Sequence, residues 1–428
     1  MHSFRYRDGQ LYCEDVDLAR AATEFDTPLY VYSANTILDH YTRLDAALTP
    51  LDHLICYAVK ANSNRAILKL LADAGAGFDI VSGGELFRAI NAGADPQKCT
   101  FAGVGKTRAE IEYALNQRVL SFNVESEAEL ELIDKIAAAK NVRAPIALRV
   151  NPDVDPHTHK YISTGSHENK FGIAIRDAPA VYERAAGMRN IEIVGVQMHI
   201  GSQITEAGPF AAAIAKVVPL ARDLKSKHRI KFFSIGGGMG IIYRRALESG
   251  SGKWWHDHGG ETSAFSVRDY ANAIVPPLRD LGLRVLLEPG RFLAGNAGIL
   301  LTRVLYIKSA GQKRFVIVDA GMNDLIRPAL YQGYHQIVPC RASVSDAAQK
   351  VDIVGPVCES GDFFALDREM PDAAEGDLLA IMSAGAYGFT MASNYNSRPL
   401  PAEALVRGGE IKLIRKRQTW EDLVKDEI

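Results

Sequence analysis

Several short apolar runs in this 428-residue chain stop at residues that could do chemistry. Lys60 ends the run 54–59, and Asp79 lies near the end of the run 77–81. His199, Gly201 and Ser202 close the run 193–199; Gly236, Gly237 and Gly238 close 231–235; Glu288 and Arg291 close 284–288. A lysine at such a junction has two readings. Its stem covers apolar surface while the ammonium reaches water, or its amine is a nucleophile kept neutral enough to form a Schiff base. Three glycines after a strand expose backbone N–H groups that can cradle a phosphate. The run GGGMG does not fit GxGxxG, which disfavours a dinucleotide fold. A carboxylate buried at position 288 needs a cation or a shared proton. Arg291 is one candidate partner, and a protonated heterocyclic nitrogen is the other. His199 is either a satisfied core histidine or a flat face for a flat ring.

The elements that must position these residues alternate from about 28 to 290. Apolar runs at 54–59, 77–81, 99–102, 120–124, 145–150, 193–199, 231–235 and 284–288 read as strands. Amphipathic segments such as 64–75 and 127–140 lie between them, with Leu130, Ile133 and Ile136 at helical spacing. Asn62 and Ser63 look like caps for the first of these. Ser82 with Glu85, Thr107 with Glu110, and Ser126 with Glu129 have the spacing of capping boxes. Repeated strand-then-helix units imply a parallel sheet, and about eight of them close a TIM-type (β/α)8 barrel. A doubly wound open sheet is the competing architecture. In a barrel, function collects where strands end, and the candidate residues share that location. After 292 the chain turns β-rich, with runs at 304–311, 314–321, 349–357, 377–388 and 408–417, which predicts a second, mainly antiparallel β domain. The expected division is a barrel over 27–292 and a β domain over 293–428 completed by a strand within 1–26. Residues 246–265 read as a loop or insertion.

Composition narrows the function classes. Lys+Arg 49 against Asp+Glu 51 gives a net charge of −2, which asks for neither nucleic acid nor an anionic membrane. Five widely spaced cysteines, with no CxxC pair, argue against a disulfide framework or a zinc ribbon. No signal-peptide core and no span-length apolar stretch are present, so a cytoplasmic enzyme of small-molecule metabolism is expected. His157, His159, His256 and His258 invite a metal reading, but no third ligand stands at useful spacing, and no metal is expected.

Lysine, glycine turn, carboxylate and histidine are together the parts that pyridoxal 5'-phosphate requires. Longer motifs in order extend the pattern: YAVKAN (57–62), FDIVSGGE (78–85), RVNPDVDPHTHKYISTG (149–165), ENKFGI (168–173), HIGSQ (199–203), GGG (236–238), EPGR (288–291), NDLIRPALY (323–331), CESGDFF (358–364) and GAYGF (385–389). With these the chain resembles, over nearly its whole length, the fold-type III pyridoxal phosphate-dependent decarboxylases, and within them the branch that acts on diaminopimelate. The resemblance implies that Lys60 is the Schiff-base lysine and that His199 stacks on the ring. Gly238 with Gly236 and Gly237 would bind the phosphate, with Ser202 and Tyr387 nearby. Glu288 would hold the ring nitrogen protonated, and Asp79 would assist near the lysine. Arg291, Arg327, Tyr331, Glu359 and Tyr387 would hold the substrate. Cys358 would be the proton donor, delivered from the second subunit of a homodimer.

The implied reaction converts meso-2,6-diaminopimelate to L-lysine and CO2. Its substrate has a distal carboxylate suited to arginine and a distal ammonium suited to Glu359. A decarboxylase of a related diamino acid or of a modified diaminopimelate remains the alternative, because 246–265, with its Trp254–Trp255 pair, is longer than the resemblance leads one to expect. A racemase of the same barrel type would place an arginine, not a glutamate, opposite the ring nitrogen. A non-catalytic binder of pyridoxal phosphate would have no use for both Lys60 and Cys358.

Overall fold

The computed structural model describes residues 2–155, 170–251, 266–343 and 348–428. The chain divides into two compact units, one made of the described residues of 40–240 and 262–292, the other of those of 1–39, 241–261 and 293–428.

All eight expected strands form in the first unit. They are β1 His53–Ala58, β2 Gly77–Ile80, β3 Cys99–Phe101, β4 Ser121–Val124, β5 Ala144–Asn151, β6 Ile191–Met198, β7 Phe232–Ser234 and β8 Arg284–Leu287. Each pairs in parallel with the next in sequence, and β8 pairs with β1, so the sheet closes into a barrel. The open doubly wound alternative is excluded by that closure. Nearly every strand residue is buried, because helices cover the outside and side chains fill the inside. Leu54, Cys56, Ala147, Val194, Phe232 and Leu286 form one packed interior cluster. Gly195 on β6 makes room in it: a Cβ there would stand 2.5 Å from the Phe232 ring.

The helices begin close to where the caps predict, with two refinements. Thr107 and Glu110 make a complete capping box. At Ser82 and Ser126 the hydroxyl accepts the N–H of Glu85 and Glu129, but each glutamate reaches one residue further back, to the N–H of Val81 and Glu125. The helix Arg65–Asp73 is capped by Asn64, whose side chain accepts the Ala66 N–H, rather than by Asn62 or Ser63. Asn62 supports that cap by accepting the Asn64 N–H.

The second unit is built on a nine-stranded, mainly antiparallel sheet. Its long central strand Gly298–Ala310 pairs with Lys313–Val318, Leu378–Ile381 and Leu29–Ser33. Here the structure departs from the expected boundary. Leu29–Ser33, read as part of the barrel region, is a strand of this sheet, and 34–39 and the described part of 241–261 also belong to this unit. All five residues of Leu29–Ser33 are buried, so the strand carries no alternation to tell which sheet it joins. The N-terminal segment forms its own small sheet from Phe4–Arg7, Gln10–Cys13 and Val16–Asp17, and packs Phe4, Leu11, Cys13 and Val16 into the same core. None of the described helices is long and apolar enough to cross a membrane. The Trp254–Trp255 pair, most of the 246–265 insertion and the four histidines at 157, 159, 256 and 258 lie outside the described residues. Among the described residues no cluster of potential metal ligands occurs.

Candidate active site

The even-numbered barrel strands carry a polar residue at or next to their C-terminal ends. Asp79 stands on β2, Asn123 on β4, Gln197 on β6, and Glu288 directly follows β8; all four are buried. Alternate strands contribute side chains to the same layer of a barrel, so these residues replace one apolar layer at the C-terminal mouth. Asn123 and Gln197 went unnoticed in the sequence, although each interrupts an apolar strand at its end just as Glu288 does.

Lys60 leaves β1 in a single turn of 3₁₀ helix, Val59–Ala61. Its Nζ lies 2.8 Å from Oδ2 of Asp79. The other Asp79 oxygen is buried with no donor within reach among the described residues. The lysine side chain is 40% exposed, so the amine is anchored yet reachable. Glu288 accepts hydrogen bonds from Gln197 Nε2 at 2.9 Å, Ser234 Oγ at 2.7 Å and Asn123 Nδ2 at 3.4 Å. Burial, and then the negative charge of Asp79, push its carboxyl up to about 7 despite those donors. Glu288 is thus a group that holds or yields a proton near neutrality. Arg291, the bland partner for it, donates instead to Ser202 Oγ at 3.1 Å.

His199 lies at the end of β6, and its Nδ1 accepts the Gly237 N–H at 3.3 Å. Burial lowers the imidazole well below its ordinary range, and the nearby charges of Arg149 and Lys60 act in the same direction. It is a neutral, flat ring. In the glycine turn, Gly236 and Gly238 adopt positive φ, 72° and 113°. A Cβ on Gly236, Gly237 or Gly238 would stand within 2.5 Å of a backbone carbonyl oxygen. The Gly236 N–H donates to Ser234 Oγ and that of Gly237 to His199. Of the three, only the Gly238 N–H has no protein acceptor among the described residues.

A buried ionic network surrounds this mouth and also escaped the sequence reading. Arg149 pairs with Glu125 at 3.0 Å, and Glu125 also accepts the N–H groups of Gly103 and Gly172. Lys106 donates to Glu129 at 2.7 Å, Gly103 O at 2.7 Å and Asn123 O at 2.9 Å. Arg149, a charge inside the apolar strand β5, was the one signal of it on a strand; Lys106, Glu125 and Glu129 lie in loops and a helix.

The remaining candidates lie in the β unit. Arg327 is buried at the start of the short helix Arg327–Tyr331, which Tyr331 ends. Cys358 is exposed, unlike the other four cysteines, which are buried. Its backbone N–H donates to Asn396 Oδ1, and Glu359 hydrogen-bonds Tyr395. The loop is pinned by Asp362, whose two oxygens accept from Met322 and Val357. Tyr387 is held in the left-handed region, φ 56°, between Gly385 and Gly388, where backbone contacts leave no room for a Cβ.

A parallel barrel whose mouth carries an anchored lysine, a glycine turn and a proton-holding carboxyl defines a class. Residues 34–295 match the family model of the pyridoxal-dependent decarboxylases, described as their pyridoxal binding domain. A diaminopimelate decarboxylase of Aquifex aeolicus is 48% identical over 98% of this chain and 96% of its own length. That of Pseudomonas aeruginosa is 49% identical over 100% and 99%. The crystal structure of the Helicobacter pylori diaminopimelate decarboxylase complexed with L-lysine superposes with a TM-score of 0.88 at 41% identity, over 95% of this chain and 98% of that one. The chain belongs to the diaminopimelate decarboxylases.

The residues at the barrel mouth fit pyridoxal phosphate. The orphaned Asp79 oxygen and the unpaired Gly238 N–H are a buried acceptor and a donor, each without a partner in the described chain. Glu288 is poised to share a proton with a basic ring nitrogen.

Proposed function

We propose that this chain, as a homodimer in the cytoplasm, decarboxylates meso-2,6-diaminopimelate to L-lysine and CO2. The observation that carries the reading is Glu288, a buried, triply hydrogen-bonded carboxyl at the same barrel mouth as the anchored amine of Lys60. When bound, pyridoxal phosphate supplies an electron sink for the pair left at Cα as CO2 departs.

The chain's own residues do the rest. Lys60 would hold the cofactor aldehyde, and Asp79, 2.8 Å from its Nζ, keeps the lysine in place. His199 would present the face of its neutral ring to the cofactor. Gly238, with Gly236, Gly237, Ser202 and Tyr387, holds the phosphate. Glu288 keeps the proton on the ring nitrogen. Arg291, Arg327, Tyr331, Tyr387 and Glu359 hold the amino-acid substrate, the arginines by paired N–H bonds to carboxylate and Glu359 through the distal ammonium. Cys358 of the partner subunit returns a proton to Cα. Of the substrate-holding groups, Arg291 belongs to the barrel unit and Arg327, Tyr331, Glu359 and Tyr387 to the β unit.

The test is CO2 release by the protein with added pyridoxal phosphate, offered meso-diaminopimelate, L-lysine, L-ornithine and L-arginine in parallel. Release from meso-diaminopimelate alone, with L-lysine formed, is expected, and Lys60→Ala should lower it by roughly a thousandfold or more. Release from another diamino acid instead would transfer the reading to a related decarboxylase. No release from any of them, with the cofactor still trapped on Lys60 by borohydride, would leave a pyridoxal phosphate binder of different substrate or none.

A further inference from the structure

His335 was singled out neither by its spacing nor by the resemblance. It is fully buried, between the helix Arg327–Tyr331 and the strand Ile337–Pro339. Its Nδ1 lies 2.7 Å from the carbonyl oxygen of Met382. A carbonyl only accepts, so Nδ1 carries the proton. Nε2 is then a bare lone pair, and it lies 2.9 Å from Nη1 of Arg327, a guanidinium that only donates. A second proton on the ring would set two N–H groups against each other at that distance. The imidazole is therefore a neutral acceptor. It fixes the guanidinium without cancelling any of its charge, as a carboxylate in the same place would.

Other contacts immobilise the same group. The Arg327 guanidinium lies over the Tyr243 ring, 4.6 Å from its centroid, and Tyr243 meets His335 edge-on at 5.2 Å. The adjacent Tyr334 ring is covered by Arg244 and Arg368, at 4.3 and 4.1 Å, and Arg368 also donates to the His335 carbonyl. An arginine held this way has lost its rotamer freedom before any ligand arrives, which removes an entropic cost from binding.

We propose that His335 is a positioning residue for substrate selection, fixing Arg327 as a fully charged fork for the carboxylate on the non-reacting end of the substrate. This rests on the functional reading above, in which Arg327 holds substrate. The two are separable by experiment on the full-length protein loaded with pyridoxal phosphate. His335→Asn keeps an N–H for the Met382 carbonyl and removes the acceptor facing Arg327; His335→Gln returns an amide oxygen close to the Nε2 position. Turnover is measured with meso-diaminopimelate and with D-lysine, which has the same reacting end but no distal carboxylate. Affinity is measured by calorimetry for L-lysine and for 1,5-diaminopentane, its counterpart without a carboxylate.

His335→Asn should raise KM for meso-diaminopimelate and weaken L-lysine by about tenfold or more, with kcat changed less than about threefold. D-lysine turnover and diaminopentane affinity should stay within about twofold, and His335→Gln should recover most of the loss. A folded, cofactor-loaded His335→Asn protein with unchanged L-lysine affinity would overturn the proposal, as would equal losses for both members of each pair. Wild-type protein that releases no CO2 from meso-diaminopimelate would sink the functional reading, while the two affinities would still decide the role of His335. Should neither variant fold, nitrogen NMR of histidine-labelled wild type decides: a neutral Nδ1–H ring between pH 6 and 8 is expected, and a cationic or Nε2–H ring refutes the assignment.

Discussion

Glu288 carries two demands that conflict in the absence of a ligand. Its three donors favour the carboxylate, while burial and the charge of Asp79 favour the acid, and the second pair wins, with the carboxyl raised to about 7. A group whose folded value is raised lends the fold stability below its unfolded value and loses it as pH rises through the folded one. Glu288 therefore stabilises the cofactor-free protein below about pH 4.5, and that contribution fades between roughly pH 4.5 and 7. Thermal melts of cofactor-free wild type and Glu288→Gln should diverge over this window. Wild type should lose on the order of 2–3 kcal/mol relative to the variant by pH 8. Glu85 and Asp324, also raised to about 7, contribute equally to both proteins and cancel in the difference. A gap that does not change with pH would mean that Glu288 is ionised throughout. His199 makes the complementary case: burial and the positive charges beside it favour the neutral ring, which suits the role proposed for it of presenting a ring face.

At the scale of elements, packing inside the barrel sets limits that chemistry at its mouth depends on. Gly195 on β6 lies beside Phe232, its register partner on β7, and the ring leaves no room for a methyl group. Gly195→Ala should destabilise the protein by about 1–3 kcal/mol, and Phe232→Leu in the same chain should restore part of that, read as denaturation midpoints. Additive losses would show that the two positions do not compete for the same space. Much at this scale was legible in the sequence. All eight barrel strands announced themselves because a parallel sheet buried on both faces requires short, continuous apolar runs. Lys60, Asp79, His199 and Glu288 were legible because a polar residue at the end of such a run is costly unless something uses it. The same rule, applied to SFNV and VGVQM, would have found Asn123 and Gln197. It missed them because neutral amides attract less notice than charges. Leu29–Ser33 was misassigned for a physical reason as well: a strand buried on both faces looks the same in either sheet. His335 left no trace, since its partners, Arg327 and Met382, are 8 and 47 residues away and only the fold brings them together.

For the whole molecule, the groups proposed to act together are divided between two units of one chain. Lys60, His199 and Glu288 belong to the barrel, whereas Arg327, Cys358, Glu359 and Tyr387 belong to the β unit. If Cys358 serves the partner's lysine, inactive Lys60→Ala and Cys358→Ala proteins should complement each other on mixing. Random exchange gives hybrids that each keep one intact site, so activity should recover to roughly a quarter of wild type. No recovery, with subunit exchange demonstrated by mass, would place both residues in the site of one chain.

Lys106 bears on which amine meets the cofactor. It is a second lysine near the polar end of the barrel, wholly enclosed, and its three hydrogen bonds to Gly103, Asn123 and Glu129 use all three ammonium protons. An ammonium so engaged has no lone pair to offer an aldehyde. Lys60 donates to the Asp79 carboxylate, and its side chain is 40% exposed. Burial and hydrogen bonding thus distinguish two chemically identical amines: one is enclosed as a cation that holds the framework, and the other, proposed to carry the cofactor, is open to it.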